Sequence, residues 1–205
     1  KLNSDSVLPH VRSDIKEYLK QGKTGITRLQ ADYLTNMGSS FYGRFSAGLF
    51  EEMFGGVGGE LLYKPFGQRW AMGVELNRVQ QRDYDMLFSF LDYRVTTGHV
   101  DLYYRLPFYN MTAQLSVGQY LAGDRGATIG VARQFDSGAV IGAFATKTNV
   151  SAADFGEGSF DKGIYVSIPM DMLSLYSSRT SLGMSWRPLT RDGGQRLSIG
   201  KRLYP

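Results

Sequence analysis

Apolar and polar residues alternate with a period of two along most of the chain. In residues 100–106 every second residue is apolar, and the same pattern recurs in residues 182–187 and 197–203. Side chains of a β-strand point to opposite faces in turn, so each of these segments has one apolar and one polar face. Such strands, repeated without helices between them, are typical of a barrel that stands in a lipid bilayer with its apolar side chains outside.

The alternation predicts about twelve antiparallel strands from residue 24 onward, separated by turns rich in glycine, proline and aspartate. Most of them have about nine to fifteen residues, which is enough to cross a bilayer at a tilt. An even strand number is typical of bacterial outer-membrane barrels. We therefore expect an all-β fold, a transmembrane antiparallel up-and-down β-barrel, over residues 24–205. The predicted strands are residues 25–37, 40–54, 57–65, 68–80, 85–96, 98–107, 110–121, 126–135, 139–148, 162–171, 179–188 and 195–204.

Residues 1–23 have a different pattern, in which apolar residues recur at helical spacing with charged residues between them. They predict one short amphipathic helix and linker, placed on the periplasmic side of the barrel. Three interpretations remain open for this helix. It packs on a neighbouring domain, it closes the mouth of the barrel as a plug or lid, or it lies on the membrane surface as an anchor.

Composition narrows the class of protein. The 205 residues carry 23 basic and 19 acidic side chains, a net charge of +4 that does not by itself indicate a nucleic-acid partner. The absence of cysteine excludes disulfides and thiolate metal sites. The sequence contains no apolar run long enough for a transmembrane helix. Because the chain starts without an apolar leader, we expect a mature chain or the C-terminal part of a longer one.

Candidate catalytic chemistry is sparse. The two histidines, His10 and His99, lie far apart and have no metal-ligand spacing around them. The sequence contains neither a nucleophile motif of the G-x-S-x-G type nor a phosphate-binding loop. We therefore predict no catalytic, cofactor-binding or metal-binding residues, and we do not expect an enzyme.

Several charged residues fall in the polar, lumen-facing phase of the predicted strands. They form a mixed-charge network that fills and stiffens a narrow lumen, or they line a polar track for a hydrated ligand such as a glycan. Barrels of about eight strands are filled by side chains and those of about sixteen are open, so twelve strands leave both interpretations open. The candidate lumen residues are Arg28, Asp32, Arg44, Glu60, Glu75, Asp101 and Arg105.

Four stretches resemble the C-terminal part of the YjbH/GfcD (WbfB-type) family. They are residues 6–65 (beginning SVLPHVRSDIKEYLKQGKTG), 70–90 (WAMGVELNRVQQRDYDMLFSF), 100–135 and 185–205 (SWRPLTRDGGQRLSIGKRLYP). This resemblance implies a large bacterial outer-membrane protein that is encoded with exopolysaccharide or group 4 capsule genes. Members are several times longer than this chain, and the family offers no catalytic motif that can be placed on these residues.

The resemblance and the strand pattern together predict a function in the export or assembly of an exopolysaccharide or capsule, as conduit or scaffold, in the bacterial outer membrane. The expected partners are the lipid bilayer, the surface polysaccharide, other export proteins and upstream domains of the same protein. Two alternatives of other classes remain. One is an outer-membrane barrel that acts as an enzyme or small-solute pore, and the other is a soluble β-sandwich that acts as a binding module.

Overall fold

The computed structural model describes residues 7–151, 160–170, 181–187 and 192–204. Within these ranges the chain forms one short helix and one antiparallel sheet of ten strands. The elements are α1 (Ile15–Gln21), β1 (Leu29–Asn36), β2 (Phe41–Leu49), β3 (Phe54–Tyr63), β4 (Trp70–Arg82), β5 (Phe90–Arg105), β6 (Met111–Gln119), β7 (Arg125–Gln134), β8 (Val140–Thr148), β9 (Asp161–Pro169) and β10 (Ser181–Trp186).

Each strand pairs with the next one along the chain, so the topology is a simple up-and-down meander. The prediction of an all-β antiparallel fold with one short helix is confirmed. In the described residues β1 and β10 are the two edges of the sheet, and its closure into a barrel stays a prediction. Residue 171 of predicted strand 162–171 lies outside the described residues, as do residues 179, 180 and 188 of predicted strand 179–188.

Two predicted strands, 85–96 and 98–107, are in fact one. Gly98 was expected in a turn, but it lies inside β5, opposite Leu76 of β4 and Gln119 of β6. Its hydrogen-bonding strands on both sides hold it extended, which overrides the turn preference of a Thr-Gly pair. The residues before Phe90 form a connection instead, because the backbone N–H of Asp83 donates to the carbonyl oxygen of Ser89 at 2.9 Å.

The predicted last strand, residues 195–204, is also wrong. The structure places these residues outside the sheet, although the alternation of Leu197 and Ile199 with polar neighbours is real. Both apolar side chains are buried against other apolar groups instead of facing outward from a strand. The described residues therefore form ten strands rather than the predicted twelve.

The two faces of the sheet have opposite character. The outer face exposes large apolar side chains; Val74 is 48%, Leu102 45% and Ile129 62% exposed. The inner face buries charge, with Glu75 only 2% and Asp101 only 3% exposed. This arrangement is the reverse of a water-soluble sheet protein, in which exposed apolar patches are rarely larger than a few hundred Å².

An apolar cluster lies at the end of the sheet that carries α1, which we call the helix end; the opposite end is the rim end. Tyr18 of α1 is buried here, and its hydroxyl donates to the carbonyl oxygen of Arg82 at 2.5 Å. Phe50 and Phe54, beside the connection between β2 and β3, belong to the same cluster. The helix is shorter than its sequence pattern suggested and packs across this end. No helix in the described ranges is long and apolar enough to span a membrane.

Gly118→Ala is expected to destabilise the fold. An added Cβ at Gly118 would overlap the carbonyl oxygen of Gly98 and lie 2.8 Å from the Cα of His99, and both of these are backbone atoms of the facing strand. Such overpacking costs about 1–3 kcal/mol. Gly73→Ala is the matched control, because its Cβ would have no neighbour nearer than 3.8 Å. Thermal unfolding in detergent should show a lower Tm for Gly118→Ala alone; equal values would contradict this packing.

Candidate functional site

Residues 192–204, which we call the C-terminal segment, run along the inner face of the sheet from the helix end toward the rim end. Near its start, the N–H of Gly194 donates to the carboxylate of Asp124 at 2.8 Å. Near its end, the N–H of Leu203 donates to the carboxylate of Glu60 at 3.1 Å. The ring of Tyr204 then stacks on Tyr103, with the ring centroids 4.0 Å apart. The segment therefore covers part of the inner face of the sheet.

The start of the segment is tied to the residues before α1. The carboxylate of Asp192 accepts hydrogen bonds from the N–H groups of Arg12 (2.8 Å) and Ser13 (3.0 Å), and from the Ser13 hydroxyl (2.8 Å). The Arg12 guanidinium donates to both carboxylate oxygens of Glu51, at 2.7 and 3.0 Å, and to the carbonyl oxygen of Arg196 at 3.1 Å. The two ends of the described chain thus hold each other at the helix end.

Glu75 is the centre of a buried ion network. One of its carboxylate oxygens lies 3.0 Å from Nη1 of Arg202 and 3.5 Å from Nη2 of Arg44, and the other lies 3.6 Å from Nη2 of Arg196. A buried carboxylate is costly unless cations and hydrogen bonds surround it. Two of the three cations come from the C-terminal segment, so the segment compensates a charge that the strands bury.

Asp101 forms the second strong contact of the segment. Nη1 and Nη2 of Arg196 donate to its two carboxylate oxygens at 2.8 and 2.7 Å, and Gln114 donates to it at 3.0 Å. Bidentate pairs between arginine and a carboxylate are among the strongest hydrogen-bonded contacts in proteins. Arg196 is thereby fixed against β5 and, through Ser116 at 3.1 Å, against β6.

The network continues to the first edge of the sheet. Nε of Arg44 donates to Glu60 at 3.0 Å, and its Nη1 donates to the hydroxyl of Ser46 at 2.5 Å. Ser46 in turn donates to Asp32 of β1 at 2.5 Å. Charged side chains of β1 to β5 and of the C-terminal segment are therefore one connected system.

The structure brings most of the predicted lumen residues together. Asp32, Arg44, Glu60, Glu75 and Asp101 belong to the network. Arg28 lies nearer the helix end, where it donates to the carbonyl oxygen of Phe50 at 2.6 Å and to Ser198 at 3.0 Å. Arg105 is exposed at the rim end.

Arg196 and Arg202 were not among the predicted lumen residues. A signal was present, because both fall in the polar phase of the predicted strand 195–204. The predicted lumen residues also included four carboxylates but only three arginines. Arg196, Lys201 and Arg202 fall within seven residues of one another, and such a basic run near the end of the chain is suited to balance that excess.

A cavity of about 400 Å³ remains between the C-terminal segment and β6 to β9. Pockets of about 300–1,000 Å³ are typical of small-molecule sites. Hydroxyl groups and rings dominate its wall, and the Tyr120 hydroxyl lies 2.6 Å from that of Thr128. Such a wall suits a polar ligand of sugar size. Among the described residues no group of three or more His, Asp or Glu is placed to hold a metal ion. The lining residues include Tyr103, Thr112, Gln114, Tyr120, Thr128, Phe144, Thr146, Asp161, Tyr165, Arg187, Arg196 and Tyr204.

Burial also perturbs groups in the connections at the helix end. It raises the pKa of the Asp124 carboxyl, although the hydrogen bond from the Gly194 N–H acts in the opposite direction. Burial likewise raises the pKa of Tyr84, whose hydroxyl lies 3.3 Å from the carboxylate of Asp14. Each group lies in a contact between parts of the chain that are distant in sequence.

Comparison with known proteins identifies relatives over the whole chain. The family model YjbH, described as exopolysaccharide biosynthesis protein YbjH, matches residues 1–205. A protein of Escherichia coli (strain K12), named uncharacterized lipoprotein YjbH, is 47% identical over 205 residues, which is 98% of this chain and 29% of that protein. The chain thus spans less than a third of the length of this relative. No solved structure shows significant similarity. The resemblance found in the sequence is confirmed.

Asp101→Asn is expected to lower stability strongly. The change removes the carboxylate from a buried pair and leaves Arg196 without its bidentate partner. Breaking one side of a buried pair costs about 3–5 kcal/mol. Asp92→Asn is the control, because it makes the same chemical change at an exposed position of the same strand. Denaturant unfolding in detergent should show a lower midpoint for Asp101→Asn only, and similar midpoints for both variants would refute the network.

Proposed function

Since the chain belongs to the YjbH family of exopolysaccharide biosynthesis proteins, we propose that its sheet is an outer-membrane domain that takes part in assembly or export of an exopolysaccharide. In this proposal β1 and β10 approach each other to complete a barrel, and the domain acts as a scaffold rather than as an open conduit. The protein is not an enzyme in this role. The observation that carries the proposal is the distribution of side chains on the sheet, with apolar side chains exposed on the outer face and charged side chains buried on the inner face.

Contact with lipid explains the outer face. Apolar side chains run along it on neighbouring strands; Val74 of β4 lies opposite Val100 of β5, and Leu102 lies opposite Leu115 of β6. Water would make this surface unfavourable at about 25 cal/mol per Å², whereas a bilayer would not. A soluble β-sandwich would bury this face against a second sheet. The name lipoprotein, given to the Escherichia coli relative, agrees with a place in the cell envelope.

The aromatic side chains support the same interpretation. Tyr63, Trp70 and Tyr104 lie on neighbouring strands near the rim end of the outer face, and Tyr63 and Trp70 contact each other edge to face. Trp and Tyr concentrate where a bilayer meets water. In this proposal these rings stand at one membrane surface, and Arg78 and Arg94 stand toward the other.

The C-terminal segment favours a scaffold over a conduit. A polymer that passed through the domain would have to displace the segment, and with it the contacts of Arg196 and Arg202 to buried carboxylates. Breaking such contacts is costly. The polymer, or other export proteins, would instead contact the domain at its ends or at the cavity of about 400 Å³.

Val100→Arg is expected to impair membrane insertion. Val100 is 49% exposed on the outer face and lies between Tyr104 and Arg94 on the same strand. A charged residue at the lipid face near the bilayer midplane costs about 2–4 kcal/mol. Gln21→Arg, on an exposed position of α1, introduces the same side chain away from that face. The amount of heat-modifiable protein in the outer-membrane fraction should fall for Val100→Arg and stay at the wild-type level for Gln21→Arg. An unchanged amount for Val100→Arg would contradict lipid contact.

The role in export is tested by measuring the amounts of surface and periplasmic polysaccharide in cells. A strain that lacks this domain, but keeps the rest of the protein at its normal level, should lose surface polymer and accumulate it in the periplasm. Unchanged polymer in both places would overturn the proposed function.

The same assay separates scaffold from conduit. Gln30 and Gly200 are adjacent, since the Gly200 N–H donates to the Gln30 side chain at 3.1 Å. In a Gln30→Cys, Gly200→Cys variant a short bis-maleimide would lock the segment in place. We expect locked cells to export as much polymer as the same cells without the reagent. Loss of export on locking would identify a conduit.

A further inference from the structure

A second and larger cavity lies at the rim end, where three connections meet. Its volume is about 910 Å³, and we call it the rim cavity. Residues of the β1–β2, β3–β4 and β5–β6 connections line it, together with Leu203 of the C-terminal segment. Lys64, Arg69 and Arg105 are among these residues, and the lining contains no aspartate or glutamate. The rim cavity is therefore cationic.

Two of the cations, Arg69 and Arg105, lie opposite each other on the backbone, where β4 begins and β5 ends. The N–H of Arg105 donates to the carbonyl oxygen of Arg69 at 2.7 Å, directly after the pair that Trp70 makes with Tyr104. Like charges opposite each other on neighbouring strands are destabilising. Among the ion pairs of the described residues, none includes Lys64, Arg69 or Arg105. This contrasts with Arg44 and Arg196, which the fold pairs with carboxylates. Stability does not account for the rim arginines, whereas an anionic ligand would.

The other walls of the rim cavity suit a sugar. Leu62 and Leu203 form an apolar part of the wall on the inner side of the sheet, and Phe66, Phe108 and Tyr109 present exposed rings. Aromatic rings offer flat apolar faces on which the C–H face of a sugar ring packs. The Nζ of Lys64 lies 5.2 Å from the centre of the Tyr204 ring, so this cation is held beside the wall.

The backbone of the rim cavity is unusual as well. Five non-glycine residues of the described chain have positive φ, and four of them, Ser39, Ser40, Tyr109 and Asn110, line this cavity. Hairpin turns use such angles, but they favour glycine or asparagine there. Tyr109, with φ of 54°, therefore occupies a position that turn geometry alone would not select. Strained residues of this kind cluster at ligand sites.

We propose that the rim cavity binds a carboxylated saccharide, as an acidic segment of the polymer that the domain helps to assemble or export. The choice of saccharide rests on the proposed function. A lipid phosphate would also satisfy the cations, but it would approach from the outer face. The buried Leu62 and Leu203 of the C-terminal segment form part of the cavity wall, which places the cavity on the inner side of the sheet.

The probe is a hexamer of galacturonic acid, titrated into the full-length protein in detergent and followed by calorimetry. Maltohexaose serves as a neutral hexamer, and lipid A in mixed micelles serves as the phosphate probe. The test variant is Arg69→Gln with Arg105→Gln. The matched control is Arg78→Gln with Arg94→Gln, which removes two exposed arginines from the outer face at the helix end. Thermal unfolding of each variant checks the fold.

We expect the acidic hexamer to bind the wild type with an affinity that falls as salt rises. The rim variant should bind the acidic hexamer at least about tenfold more weakly than the wild type. It loses charge-assisted hydrogen bonds to carboxylates, which are about twice as strong as hydrogen bonds between neutral groups. The control variant should bind like the wild type, and Arg69→Lys with Arg105→Lys should keep part of the affinity.

Equal binding of maltohexaose, equal losses in both glutamine variants, or preference for lipid A would each overturn the inference. The polysaccharide assay with the domain deletion is independent of this titration. If the hexamer does not bind but the deletion still abolishes surface polymer, the rim inference fails and the proposed function stands. If the hexamer binds and the deletion leaves polymer unchanged, the proposed function fails, and with it the assignment of the site to that polymer.

Discussion

The burial of Glu75 is the constraint on which the inner side of this structure depends. A carboxylate that is only 2% exposed in the middle of a sheet needs cations around it. The strands supply Arg44, and the C-terminal segment supplies Arg196 and Arg202. The C-terminal segment is therefore held on the inner face by its charges. Its removal would take Arg196 and Arg202 away from the buried carboxylates of Glu75 and Asp101.

In the proposed outer-membrane location, the two faces of the sheet have a common explanation. A surface that meets lipid must be apolar outside, and the polar groups of alternating strands must then lie inside, where they need partners. Here the partners are partly one another and partly the C-terminal segment. The two cavities differ in how their charges are balanced. The inner cavity lies among paired charges and hydroxyl groups, whereas the lining of the rim cavity contains cations but no carboxylates.

Period-two alternation was sufficient to predict most of the strands, because most strands have one apolar and one polar face. It failed at Gly98, where a Thr-Gly pair has the composition of a turn but lies in a long strand with neighbours on both sides. It also failed for residues 195–204, because alternation describes any extended segment that lies between an apolar and a polar surface. Tertiary contacts, which sequence alone does not reveal, decided both cases.

For the site, the sequence predicted which carboxylates face inward, since phase follows from alternation. It did not predict their partners, because Arg196 and Arg202 reach Asp101 and Glu75 only through the tertiary path of the C-terminal segment. The cationic rim cavity could not be predicted from the sequence either, because its residues come from three separate connections that only the fold brings together.

Hydrogen exchange of the full-length protein, with and without Glu75→Gln, tests the central claim most directly. The N–H groups of Ser198, Gly200 and Leu203 donate to side chains of Glu51, Gln30 and Glu60. We therefore predict slow exchange of residues 197–204 in the wild type. In Glu75→Gln, exchange of this segment should accelerate while β3 and β4 stay protected. Exchange as fast as that of an unstructured peptide in the wild type, or slow exchange that Glu75→Gln leaves unchanged, would contradict a segment held to the inner face by this carboxylate.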